Sequence, residues 1–229
     1  MRSFQLSDPY KDFTHPASRE LLQSIINKQG AGLTGHDLLC VFNRHLPAGT
    51  AAECCAYLRP LFQLFRTPED DSASQLWEDI IRIWLVQERT ALEALNQYRR
   101  IIDELRRIVY DTLIPAPWQA ESGAGSIESR AAMLICWMTS PWGEAETEDI
   151  LNTLGTGGTA QQFILLRIFL SIKAAEPTSF AERFDAHFSN STALYDAVLN
   201  LADYPLPPND ASGSTFVLKN TLEECGWYL

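Results

Sequence analysis

Cys40, Cys54, Cys55 and His36 are the side chains with the most usable chemistry here, since thiolate sulfur and imidazole nitrogen are preferred ligands of zinc. His36 and Cys40 are four apart and share a face on a helix, while Cys54 and Cys55 open the next helical segment. Together they offer up to three soft ligands, match no zinc spacing and lack an evident fourth. Ordinary packing is therefore the expectation, and no metal or other cofactor is assigned. Cys136 and Cys225 bring the cysteines to five, an odd number without regular spacing. Such a set reads as reduced thiols of a cytoplasmic protein and not as a disulfide framework.

The run Gly-Thr-Gly-Gly-Thr at 155–159 precedes an apolar helix, whose first N–H groups could receive an anion. A phosphate loop of the Walker type also follows a strand and supplies a lysine, and both are missing here. The run is expected to be an interhelical turn capped by Thr159. His15, His36, His45 and His187 are the natural acid–base candidates near neutral pH. Asp37 adjoins His36 and Asp185 lies two before His187, but helix neighbours this close point in different directions. The sequence has no Glu-x-x-His pair, no His-Glu-x-x-His and no Gly-x-Ser-x-Gly. No catalytic residue is assigned, and a non-catalytic role is the favoured reading.

Two features remain as candidate partner-binding elements. One is the cluster Arg99, Arg100, Arg106 and Arg107, interleaved with Asp103 and Glu104. Spacings of four predict the pairs Arg99–Asp103, Arg100–Glu104 and Asp103–Arg107, which would stabilise a solvated helix by about 0.2–0.5 kcal/mol each. The cluster uses arginine alone, and the guanidinium fork suits carboxylates of an acidic partner, whether another protein or this chain's own acidic C-terminal half. The other feature is the pair Trp118 and Trp142, which stand beside prolines in loops, where aromatic residues serve as interface anchors. Trp77 and Trp84, one heptad apart, are expected in the core.

Helices must position all of these groups, because strand-type alternation is absent over any useful length. The strongest pattern covers 74–113. Stepping four and three from Trp77 gives Ile81, Trp84, Glu88, Ala91, Leu95, Tyr98, Ile102, Leu105 and Val109, apolar except at Glu88. Without Gly or Pro inside it, this segment predicts one central helix about 60 Å long. A break at 88–90 into two packed helices is the alternative. Ahead of it, apolar positions at 21–26 mark a short helix. Thr34 with Asp37 opens a second helix, to about residue 45, and Thr50 with Glu53 a third, towards Phe65, kinked at Pro60. Behind it lie a Pro/Gly linker at 115–126 and shorter helices at 128–139, 146–154, 160–174, 180–188 and 192–202. An extended 205–208 and a final short element at 214–225 complete the chain. The helix at 160–174 is apolar nearly all round, so Arg167 within it must reach either water or an acidic partner.

The fold expected is all-α, a multi-helix bundle or irregular helical array built around the 74–113 helix. Residues 1–115 are expected to form an N-terminal helical part that includes the long helix, and 116–229 an acidic C-terminal helical part, packed as one domain. Of the net charge of −11, residues 1–115 contribute −2 and the remainder −9. The acidic half repels nucleic acid and anionic membrane surfaces and admits a basic protein partner. No signal segment or membrane span is evident, so a soluble, cytoplasmic protein is expected. The favoured function is a helical protein-binding module, whether adaptor, chaperone or inhibitor of another protein. The alternatives are a structural homo-oligomer joined through the long helix, and an enzyme or small-ligand binder with an interhelical pocket.

Overall fold

The computed structural model describes residues 24, 25, 27, 28, 32–42, 50–67, 71–115 and 125–174. Among these residues the structure is all-α, without a strand. The chain divides into two compact units, Met1–Ile108 and Val109–Leu229. The helices expected at 180–188 and 192–202, the 205–208 connection, the element at 214–225 and Trp118 lie outside the described residues, as does most of the 21–26 helix.

In the first unit, helix α1 (Gly35–Val41) begins with the expected capping box. The Asp37 N–H donates to Thr34 Oγ1 at 3.2 Å, and the Thr34 N–H donates to Asp37 Oδ2 at 2.8 Å. Lys28 Nζ donates to the same carboxylate oxygen at 2.7 Å. Burial raises the pKa of Asp37, but the bonds from Lys28 and Thr34 outweigh it and hold the carboxyl below its ordinary value. A second capping box, Thr50 with Glu53, opens α2 (Ala51–Cys54). The chain then tightens through a 3₁₀ turn, Cys55–Tyr57, before α3 (Leu58–Phe65). The kink expected at Pro60 falls earlier, because restarting the helix at Leu58 puts Pro60 in a first turn that needs no N–H from it.

The single helix expected over 74–113 is replaced by a series of segments. Helix α4 (Asp71–Asp79) passes into a π-helical turn, Ile80–Trp84, then α5 (Leu85–Gln87). Burial here falls on Leu76 and Trp77, Ile80 and Ile81, and Trp84 and Leu85, a repeat of four. An α-helix of 3.6 residues per turn would rotate that stripe off the core, and the wider π turn keeps it inward. Phe65 packs edge-on against Trp77 at 5.0 Å between ring centroids, and Phe42 against Trp84 at 5.2 Å. The expected core role of both tryptophans holds.

Glu88, at φ −93° and ψ 9°, bends the chain into α6 (Arg89–Ala94). The decisive break comes at Asn96, whose φ is +55°. Its N–H donates to Glu93 O and the Gln97 N–H to Leu92 O, both at 2.9 Å. This is the Schellman arrangement that ends a helix on a left-handed residue, a position taken by Gly and, next, by Asn. Ile101 N–H then bonds Gln97 O, and α7 (Tyr98–Ile108) begins. Arg89 holds the turn from outside: it pairs with Glu93 at 2.9 Å and lies 5.4 Å from the Tyr98 ring centroid. Leu95, on the expected seam, is 40% exposed. Because α2 packs on α6 and α3 on α4, the chain from 71 to 94 runs back along 51–65; α7 then returns beside α3.

In the second unit, a π-helical turn, Val109–Leu113, precedes α8 (Gly125–Met138), α9 (Thr147–Thr156) and α10 (Thr159–Ala174). Helices α8 and α9 both pack against α10. Phe163, Ile164, Leu165, Leu166, Ile168 and Leu170 are all buried, as an all-apolar helix requires. Arg167 stays half-buried and meets the exposed Glu128 of α8 at 3.4 Å, an ion pair open to solvent and not a buried one. Arg130 is buried and donates to the Thr112 and Leu113 carbonyls, satisfying acceptors at the end of the π turn. Gly158 O accepts from Gln162 N–H, which puts Gly158 at the cap of α10 and Thr159 inside the helix, one residue from the expected cap. Gly143 sits so tightly on Trp137 that a Cβ there would lie 2.4 Å from the Trp137 carbonyl oxygen.

Two predictions follow from the first unit. Asn96→Gly should leave unfolding free energy within about 0.5 kcal/mol of wild type, whereas Asn96→Ala should cost about 1 kcal/mol; equal stability of the two variants in urea denaturation would remove the left-handed turn. The second concerns acid. A carboxyl whose folded pKa is depressed contributes stability fully above the unfolded value of about 3.9, and loses it as pH falls through the folded value. The advantage of wild type over Asp37→Asn, about 1–3 kcal/mol near neutrality, should vanish as pH drops from 5 towards 2. A gap that stays constant with pH contradicts the charged cap.

Candidate arginine groove

Helices α3 and α7 carry facing stripes at helical spacing. From α3 come Leu58, Arg59 and Phe62, with Arg66 at its C-cap; from α7 come Arg100, Ile101, Glu104 and Arg107. Between them lies a cleft of about 650 Å³, also lined by Cys55 and Asp103. That volume falls in the usual range of ligand sites, about 300–1,000 Å³. Leu58 and Ile101 are buried and Phe62 half-buried, whereas the four arginines are exposed. The cleft therefore has an apolar base and a cationic rim, with four guanidinium groups against two carboxylates.

The ion pairs differ from those expected. Arg106 meets Asp103 at 3.4 Å and Arg107 meets Glu104 at 3.2 Å, each three residues on. The pairs expected at spacings of four are not the ones made, because Glu104 is drawn to Arg66 across the groove. Glu104 Oε1 takes Arg66 and Oε2 takes Arg107, so one carboxylate serves both walls. Arg59, Arg99 and Arg100 have no hydrogen-bond or ion-pair partner among the described residues. Two of them, Arg59 and Arg100, line the cleft from opposite walls.

The structure thus divides the arginine cluster. Arg100 and Arg107 line the groove, and Arg99 and Arg106 do not. It adds Arg59 and Arg66, whose spacing of seven on one helix face was the available signal. No second cation stands near either in sequence, so neither forms a local cluster. Trp142 belongs to the second unit, half-buried in the turn between α8 and α9, and is not among the groove's lining residues. Trp118 lies outside the described residues.

The thiols are in poor condition for nucleophilic work. Burial drives the Cys54 pKa up to about 12; the charges of Cys55, Glu88 and Glu53 add to it, and only the nearby Trp84 side chain acts the other way. Burial also raises Cys55 and Cys40, the latter with help from Asp37. A thiolate is the reactive and metal-binding form, and all three environments disfavour it. Among the described residues, no three His, Cys, Asp or Glu side chains are grouped to hold a metal ion. Nor is any described helix long and apolar enough to cross a membrane.

No family model, curated protein or solved structure matches this chain. Thiol accessibility gives a direct check on the site chemistry. With a disulfide-exchange reagent at pH 8, Cys54 should remain unmodified in the folded protein and react only on denaturation. Modification of Cys54 at the rate of a free peptide thiol would contradict its burial.

Proposed function

We propose that this protein is a non-catalytic helical binding module that holds an acidic segment of another protein in the α3–α7 groove. One observation carries the reading: Arg59 and Arg100 face a common cleft from two helices and have no anionic partner among the described residues. Exposed guanidinium groups that lack a protein acceptor can exchange their water for a carboxylate that arrives with suitable geometry. The contrast with the chain as a whole supports the same conclusion. A cationic groove on a protein of net charge −11 attracts acidic ligands locally while the remaining surface repels them, which favours one orientation of docking.

The homo-oligomer reading has lost its main support, because Trp77, Ile81, Trp84, Leu105 and Val109 of the expected seam are buried within their own chain.

A fluorescein-labelled glutamate-rich peptide provides the test. Wild type should bind it with an affinity that falls with salt. The double variant Arg59→Glu/Arg100→Glu should bind at least about 10-fold more weakly, while Arg99→Glu/Arg106→Glu, with the same charge change outside the groove, should lose far less. Equal losses in the two variants, or no binding by wild type, would reject the groove as the site.

A further inference from the structure

Glu104 is placed unusually for a surface carboxylate. It sits within a cationic cleft, its side chain 23% exposed, and spends both oxygens on arginines from opposite walls. A carboxylate held between two guanidinium groups is the arrangement that a carboxylate of a bound peptide would itself adopt in this groove. Beside it the rim offers Arg59 and Arg100 unpartnered, and the base offers the half-buried ring of Phe62 above the buried Ile101. Resting on the acidic-partner reading, we infer that Glu104 is an internal stand-in for a ligand carboxylate. The ligand is a peptide segment in which an apolar side chain is flanked by carboxylates. Its apolar residue packs on the groove base, one carboxylate engages Arg59 and Arg100, and another displaces Glu104 from Arg66 and Arg107. Affinity is therefore held down by the protein's own residue, and binding proceeds by exchange of one carboxylate for another.

The probes are labelled peptides Glu-Glu-Phe-Glu-Glu and Glu-Glu-Gly-Glu-Glu, measured by fluorescence anisotropy at fixed salt, with circular dichroism to confirm folding. Glu104→Gln should tighten binding of the phenylalanine peptide about 3–10-fold. Asp103→Asn removes the same charge one residue away without freeing Arg66, and should change affinity less than about 2-fold. The glycine peptide should bind more weakly than the phenylalanine peptide to wild type. Equal effects of Glu104→Gln and Asp103→Asn would reduce Glu104 to a contributor of general charge and overturn the stand-in. Should Glu104→Gln not fold, wild type still decides. Adding the phenylalanine peptide should shift the guanidinium Nε–H resonances of Arg66 and Arg107 together with those of Arg59 and Arg100; shifts confined to the last two would show that Glu104 is not displaced. Inorganic phosphate competing as well as the peptide would mark a small-anion site and overturn the peptide ligand. A groove closed by a second copy, seen as a dimer in light scattering that the peptide does not dissociate, would overturn it as well. Failure of the underlying reading looks different: wild type binds neither peptide, and Arg59→Glu/Arg100→Glu changes nothing.

Discussion

Asn96 sits at φ +55° with its own N–H on Glu93 and the next on Leu92, and this reversal sets the architecture of the first unit. A helix that continued through residue 96 would carry Arg100, Glu104 and Arg107 away from α3. The left-handed residue instead ends α6, releases one turn of backbone, and lets α7 return alongside α3. Most residues resist that conformation by about 1–2 kcal/mol, and asparagine is among the few that accept it. The outer brace of Arg89 on Glu93 and Tyr98 joins the two sides of the turn. Within the core, Phe65 on Trp77 and Phe42 on Trp84 lock α3 and α1 against the helix that leads into it.

The groove's electrostatics follow from that return. Arginines seven apart on α3 and seven apart on α7 come to face one another, and their mutual repulsion is relieved by Glu104 between Arg66 and Arg107. The relief is incomplete, since Arg59 and Arg100 keep no partner among the described residues. Surface ion pairs of this kind contribute little to stability, typically about 0–1 kcal/mol. Their arrangement matters more for recognition, where a fixed pattern of cations over an apolar base selects both charge and shape. Apolar packing of the helices beneath carries the fold, and the charges above are left available for a partner.

Much of this was legible in the sequence, and the misses have physical causes. Both capping boxes, Thr34 with Asp37 and Thr50 with Glu53, were readable because the signal is local: a hydroxyl, a carboxylate and a spacing of three. The core tryptophans and the all-apolar α10 followed from periodicity. The 74–113 segment holds no Gly or Pro, and it breaks at Asn96 because asparagine also takes a left-handed C′ position. A 4,3 seam also cannot reveal a π turn, and the period-four burial around Ile80–Trp84 registers only once Phe42 and Phe65 are seen against it. The candidate site was half readable. Arg100 and Arg107 stood out by clustering, whereas Arg59 and Arg66 matter only because a tertiary contact brings α3 beside α7. The predicted ion pairs erred for the same reason: local spacing is silent about Arg66, 38 residues from Glu104.

The chain reverses between α6 and α7 and so assembles the groove. Pulsed dipolar spectroscopy between spin labels at Gln75 and Arg107, carried on unnatural side chains with the native thiols left in place, tests it most directly. A continuous helix would separate these positions by about 48 Å at 1.5 Å per residue. Helices packed at interaxial distances of about 8–10 Å bring them well inside that. The reversal predicts a single distance peak under about 30 Å, given that packing. A peak near 48 Å would contradict it, and with it the groove between α3 and α7.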